Sequence, residues 1–217
     1  MLKVSDLNVA FGPVAIIRGA SLEVNEGDVC GLIGRNGAGK TTLLRALMGA
    51  VAARGRAQLG SVDLLLLPPH ARVSYGIGYM PEDRRLVPEF TVEENVLLPT
   101  WTARTRMRAD GVTQRLEWIF SIMPEVAQFR GRRAIALSGG QQKMVALARA
   151  LMAGRRILLL DEPFEGLAPA LAHRLGEVLA NLKSEGVSIL VAESNEIHMA
   201  DVLSRAFRIE RGTVTAA

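Results

Sequence analysis

The chain has 217 residues, enough for one domain or one domain with a sizeable insertion, and 26 Lys and Arg against 22 Asp and Glu leave a formal charge of +4. An apolar fraction of 49% with 22% charged residues is globular composition and excludes a disordered chain. A lone Cys30 excludes an intrachain disulfide, and no apolar run approaches the roughly 18 residues of a membrane-spanning helix. The opening MLKVSDLNVA carries Asp6 and no long apolar stretch, so it does not read as a signal peptide and a cytoplasmic location is expected. The basic clusters, among them Arg54/Arg56, Arg104/Arg106/Arg108 and Arg130/Arg132/Arg133, read as solvated surface, and no nucleic-acid partner is called for.

Residues 1–27 alternate apolar and polar at Leu2, Val4, Leu7 and Val9 and again at Ala20, Leu22 and Val24, which predicts strands with a turn near Gly12-Pro13. The short run DVCGLI at 28–33 is of the buried-strand type and leads into GRNGAGKTT and a helical pattern at Leu43, Leu44, Leu47 and Met48. Residues 50–80 hold short strand-like pieces at 57–59 and 76–80. Thr91-Val-Glu-Glu94 is a capping box opening a helix that Pro99 should end, and a second helix over about 113–123 should stop at Pro124. Trp101 and Trp118 fall in this stretch and suit helix packing or a docking face better than a cofactor. Ser138-Gly-Gly-Gln141 opens another helix through Met152, Ile157–Leu160 is a buried strand ending in Asp161-Glu162-Pro163, and Pro169 can start a helix with Leu171, Leu175, Val178 and Leu182 on one face. A last buried strand over 187–192 precedes an edge strand and turn at 206–215. The alternation predicts an α/β fold with a mainly parallel sheet covered on both faces.

Gly34-Arg35-Asn36-Gly37-Ala38-Gly39-Lys40-Thr41, followed by Thr42, has the form G-x-x-x-x-G-K-S/T in a strand–loop–helix setting. Its glycines let backbone N–H groups turn inward around phosphate oxygens, and the helix that follows adds its positive end. Lys40 is expected to reach the outer phosphates and Thr41 to place its hydroxyl on Mg²⁺. Asp161, at the carboxyl end of a parallel strand, is expected to hold Mg²⁺ beside this loop, and Glu162 to direct the attacking water.

Leu137-Ser-Gly-Gly-Gln-Gln142, ending 19 residues before Asp161, together with the phosphate loop resembles the signature of ABC-type ATPases over nearly the whole chain. The resemblance implies a P-loop NTPase fold of this type within one domain, 1–217. It would have a mainly parallel core sheet, an antiparallel β subdomain and an inserted α-helical subdomain at about 86–136. It implies ATP and Mg²⁺ as cofactors, with Phe11 stacking on adenine. It also implies a homodimer or a heterodimer with a second ABC ATPase, in which Ser138, Gly139, Gly140 and Gln141 meet the partner's ATP. The stretches Tyr79–Pro88, Thr91–Asn95 and Asp161–Pro169 look like ATP-binding subunits of branched-chain amino acid importers. That likeness implies integral-membrane permease partners, a periplasmic binding protein acting only indirectly, and a place on the inner face of the membrane.

Three positions stand out within this resemblance. Glu82 occupies the place of a glutamine that touches Mg²⁺ and water, which leaves it either as a direct Mg²⁺ ligand or as a loop residue making only a salt bridge with a nearby arginine. Ser194 stands where most members have a γ-phosphate histidine, and Phe164 replaces a small hydroxyl residue. Ser194 reaches less far than histidine, which implies slow or water-bridged hydrolysis. His198, on an expected helix, could substitute, but an exposed helical histidine is the simpler reading, as for His70 and His173. A soluble ABC ATPase without a transport role and an ATP-binding module with weak hydrolysis stay open as alternatives.

Overall fold

The computed structural model describes residues 1–102 and 109–216. The Arg104/Arg106/Arg108 cluster lies outside the described residues. Strands β1 (Leu2–Phe11) and β2 (Val14–Val24) form a hairpin closed by a turn at Gly12, whose φ of 57 suits only a residue without Cβ strain. β3 (Val29–Ile33) runs through the phosphate loop into α1 (Lys40–Met48). β4 (Arg54–Leu59) and the short β5 (Val62–Asp63) complete a four-stranded antiparallel sheet in the order β2-β1-β4-β5.

A helix missing from the sequence expectation, α2 (Pro69–Ser74), follows. At 6 residues it is too short to show a helical period, though Pro69 at its first turn marks the start. β6 (Ile77–Met80) then enters the second sheet. α3 (Val92–Thr102) opens on its capping box, with the Thr91 N–H donating to Glu94 Oε2 at 2.7 Å and the Glu94 N–H to Thr91 Oγ1 at 3.2 Å. Pro99 was expected to end this helix and instead lies inside it. The chain is anchored on both sides of the proline. The buried Asn95 side chain bonds backbone at Val87, Phe90 and Thr91, and Trp101 packs on Phe90 with ring centroids 5.7 Å apart. Such contacts outweigh the roughly 3 kcal/mol cost of an interior proline.

α4 (Ala109–Ile122) ends before Pro124 as expected, but the proline immediately starts a further short helix, α5 (Pro124–Ala127). α6 (Gly139–Ala153) follows the Ser138 cap, with Gln141 completing a capping box. Then come β7 (Ile157–Asp161), α7 (Pro169–Ser184), β8 (Ser188–Glu193), β9 (Arg205–Glu210) and β10 (Thr213–Ala216). His198 is not helical. It lies in a turn after β8, where the Asn195 carboxamide accepts the Ile197 N–H, and its ring stacks on Phe164 at 5.5 Å.

The second sheet has the order β10-β9-β3-β8-β7-β6 and is parallel except for β10. It is the mainly parallel sheet expected, and its inner strands β3, β7 and β8, buried on both faces, read as near-continuous apolar runs, while β9 and β10 at one side alternate or are exposed. Because side chains alternate along a strand, β7 sends Leu158 and Leu160 to the core under α6 and α7, and Ile157 and Leu159 to the core around α1 and the antiparallel sheet. Asp161 continues the second set. The carboxyl ends of β3, β7 and β8 therefore meet at one edge, with Ile33 opposite Glu193 and Asp161 opposite Ala192. No helix among the described residues is long and apolar enough to cross a membrane.

Candidate functional site

The loop after β3 is held from behind by two glycines. A Cβ on Gly34 would sit 2.4 Å from the Ile209 carbonyl, and one on Gly39 2.7 Å from Ile17 Cδ1, so the loop backbone packs directly on β9 and β2. Gly37, with φ of 80, has nothing near its Cβ position and faces open space. That side opens on a cavity of about 380 Å³ bounded by Phe11, Gly37, Lys40, Thr41, Glu82 and Glu162, with Asn36, Gly39 and Thr42 in its wall. Phe11 is 54% exposed at the end of β1 and presents its ring to the cavity rim.

Lys40 is buried and donates to the Gly34 carbonyl at 2.7 Å and to the Arg35 carbonyl at 3.3 Å. Its ammonium also lies 2.9 Å from Glu162 Oε1. Glu162 has a φ of 48, and it precedes a proline, which already closes the right-handed helical region to it. A left-handed, non-glycine residue here is strained backbone at a strand end, and such strain clusters at functional sites. Its backbone is over-determined: its N–H donates to the Ala192 carbonyl at 2.9 Å, and Lys143 of α6 donates to its carbonyl at 2.8 Å and to that of Glu165.

Asp161 is fully buried behind the cavity. Thr41 donates to its Oδ1 at 2.9 Å and Tyr79 to its Oδ2 at 3.1 Å. Burial pushes the Asp161 carboxyl up, the Thr41 and Tyr79 bonds pull it down, and the charges of Glu82 and Glu162 push it up again. Glu82 lies on the cavity wall, and its carboxylate groups with those of Glu162 and Glu165, ligand atoms within 4.8 Å of one another. The Glu165 carboxyl is raised, first by its hydrogen bond to Glu162 and then by burial. Glu82 thus faces two further carboxylates rather than an arginine; the neighbouring Asp83 takes Arg85 at 2.9 Å.

These groups fit a nucleoside triphosphate with Mg²⁺. The loop offers backbone N–H groups and a lysine, and its open side faces an aromatic ring. Thr41 Oγ1 and Asp161 Oδ1, 2.9 Å apart, set two hard oxygen donors side by side, the donor type Mg²⁺ takes.

Other expected residues lie elsewhere. Gly34, Arg35, Ala38 and Ser194 line a larger, open depression of about 1050 Å³ on the far side of the loop, which Asn36 and Gly37 border too. Ser194 donates to Asn36 Oδ1 at 2.9 Å, tying the end of β8 to the loop tip. Ser138, Gly139, Gly140 and Gln141 line neither cavity. Phe164 is buried, and its N–H donates to Glu193 Oε1 at 2.9 Å. Sequence reasoning missed Tyr79, Lys143, Glu165 and Glu193. Only Glu165 carries a local signal, three residues beyond Glu162 in the same strand-end loop.

The family model described as "ABC transporter" matches residues 17–165. The high-affinity branched-chain amino acid transport ATP-binding protein BraG of Pseudomonas aeruginosa is 33% identical over 99% of this chain and 91% of its own length. The lipopolysaccharide export system ATP-binding protein LptB of Haemophilus influenzae is 32% identical over 100% of this chain and 89% of its own. Among solved structures, the ADP conformation of MJ1267, an ATP-binding cassette of an ABC transporter, superposes with a TM-score of 0.85 at 28% identity, covering 100% of this chain and 89% of that one.

Proposed function

This chain belongs to the ABC transporter family of ATP-binding cassettes, ATPases that work with ATP and Mg²⁺, and from that premise we propose a role for each group at the site. The loop Gly34–Gly39 with Lys40 and Thr42 binds the phosphates, and Phe11 stacks on the adenine. Thr41 and Asp161 hold Mg²⁺, with Glu82 on the cavity wall as the third oxygen donor. Bound Mg²⁺ supplies neutralisation of charge on the phosphate oxygens. Glu162 accepts the proton of the attacking water, aimed by its contact with Lys40. Ser194 acts on the site through Asn36. Residues Ser138–Gln141 complete the site of a second ATPase chain, identical or sister, so that two nucleotides lie between head-to-tail protomers.

The observation that carries this reading is the strained, over-determined Glu162 paired with Lys40 beside the Thr41–Asp161 bond. Replacing Glu162 by Gln is expected to lower ATP turnover at least about 100-fold while ATP binding persists. Turnover at the wild-type rate would remove the assignment. The third possibility from the sequence, a module that scarcely hydrolyses, predicts only slow phosphate release from the unaltered protein, and rapid release would dispose of it.

For the cargo, we read an importer of branched-chain or related amino acids, working on the cytoplasmic face of the cell membrane against permease subunits. The support is the likeness of 79–88, 91–95 and 161–169 to that subgroup and the 33% identity to the Pseudomonas protein. The 32% identity to the lipopolysaccharide export ATPase favours an export role as the second reading. Deleting the chain distinguishes them. Import predicts loss of leucine uptake with normal surface lipopolysaccharide, and export predicts the reverse.

A further inference from the structure

Asp161 has two carboxylate oxygens, and each meets a different partner: Oδ1 receives the Thr41 hydroxyl at 2.9 Å and Oδ2 the Tyr79 phenol at 3.1 Å. The second bond follows from the sheet. β6 and β7 are parallel neighbours with Tyr79 opposite Leu159, so Tyr79 and Asp161 lie on one face, two residues apart along the strand direction. That diagonal offset is within reach of an aromatic side chain and out of reach of a short one. The positive charge of Arg45, one helical turn beyond Thr41 on α1, also acts on the Tyr79 oxygen. A phenol is neutral at physiological pH, so Tyr79 donates its O–H to Oδ2.

We propose that Tyr79 is a positioning residue that engages one oxygen of Asp161, favours a single contact of the other with the divalent cation, and so biases the site toward Mg²⁺ and against Ca²⁺. The proposal rests on the reading that Asp161 holds the metal. Its physical basis is coordination preference. Mg²⁺ demands a near-ideal octahedron of single oxygen contacts, whereas Ca²⁺ accepts more ligands and takes carboxylates through both oxygens. The Tyr79 phenol takes one Oδ2 lone pair and fixes the plane of the carboxylate, which disfavours the two-oxygen contact that Ca²⁺ accepts and leaves the single contact that Mg²⁺ prefers. Partners that hydrogen-bond a metal-binding carboxylate tune the metal in this way.

The test is calorimetric binding of AMP-PNP to the purified full chain in EDTA, in Mg²⁺ and in Ca²⁺. Tyr79→Phe removes one hydroxyl and keeps the ring that packs beside α1. In this variant the Mg²⁺ concentration giving half of the metal-dependent tightening should rise about tenfold. The Ca²⁺ requirement should move less than about threefold, and the affinity in EDTA should stay as in the unaltered chain. Mg²⁺ and Ca²⁺ requirements that stay put, or that move together, would overturn the proposal. So would a loss of affinity in EDTA, which would mark a role in the scaffold alone. Asp161→Asn separates the two levels of the argument. If that variant keeps full metal-dependent tightening, the metal role of Asp161 is wrong. If it loses the tightening while Tyr79→Phe retains the native Mg²⁺ preference, only the assignment of Tyr79 fails.

Discussion

Glu193, the last residue of β8, is buried with its carboxylate accepting the N–H groups of Phe164 at 2.9 Å and Ser194 at 3.3 Å. Burial pushes its carboxyl above the ordinary range, the two N–H groups pull it back, and the Glu162 charge raises it further. A raised folded-state pKa means that the native chain binds the proton more tightly than the unfolded one. Stability is then lost as pH rises from the unfolded value through the folded one. Glu193→Gln keeps one acceptor and never ionises. Its thermal midpoint should match the unaltered chain at about pH 4, below the unfolded carboxyl value, and exceed it at about pH 8. A gap that stays constant between the two pH values would count against a buried charged carboxylate. Lys40, Thr41, Asp161 and Glu162 were legible because their chemistry is written in contiguous stretches. Glu193 and Tyr79 were not, because their partners come from neighbouring strands and loops, and only strand order and register bring them together.

Three helices end against arginines borrowed from other elements. Arg72 of α2 donates to the Ala46 and Leu47 carbonyls of α1 at 2.7 and 2.8 Å. Arg115 of α4 reaches the Leu151 and Gly154 carbonyls at the end of α6, and lies 3.9 Å over the Trp118 ring. Arg174 of α7 reaches the Ile122 carbonyl ending α4. Each guanidinium satisfies orphan carbonyls at the negative pole of its helix. Arg72 is 5% exposed, and burial lowers its pKa against the charge of Asp63. Arg72→Met should therefore destabilise by about 3 kcal/mol, read as a lower urea midpoint at unchanged slope. Arg85→Ala is the contrast: its ion pair with Asp83 is 65% and 53% exposed, and its loss should stay within about 0.5 kcal/mol. Equal effects for the two would refute the capping argument. The helices themselves were largely readable from caps and period, as Thr91–Glu94 and Ser138–Gln141 demonstrate. Pro99 was misread because a local rule was overridden by the anchoring of Asn95 and Trp101, and α2 escaped because six residues show no period.

The phosphate loop and the first turn of α6, proposed above as two halves of one kind of site, do not meet within a single chain. The cavity over Lys40 opens outward, while the first turn of α6 lies away from it, with Ser138 and Gly139 exposed. The capping box uses the Ser138 hydroxyl and the Gln141 side chain internally, at 3.3 and 2.9 Å. The N–H groups of Gly139 and Gly140 then have no intrahelical acceptor and form an anion-seeking pole. If a second protomer supplies that pole, two different defects should complement each other. A chain with Lys40→Ala has a dead phosphate loop and a live α6 pole, and a chain with Ser138→Arg has the reverse. Each variant alone contains no complete site. In an equal mixture, half of the dimers pair unlike chains, and each such dimer has one complete site, so activity should recover to about one quarter of the unaltered level. A mixture as inactive as its components would place both halves of the working site in a single chain. Dilution supplies the internal control: the recovered activity should fall faster than the protein concentration, because association of two chains precedes turnover.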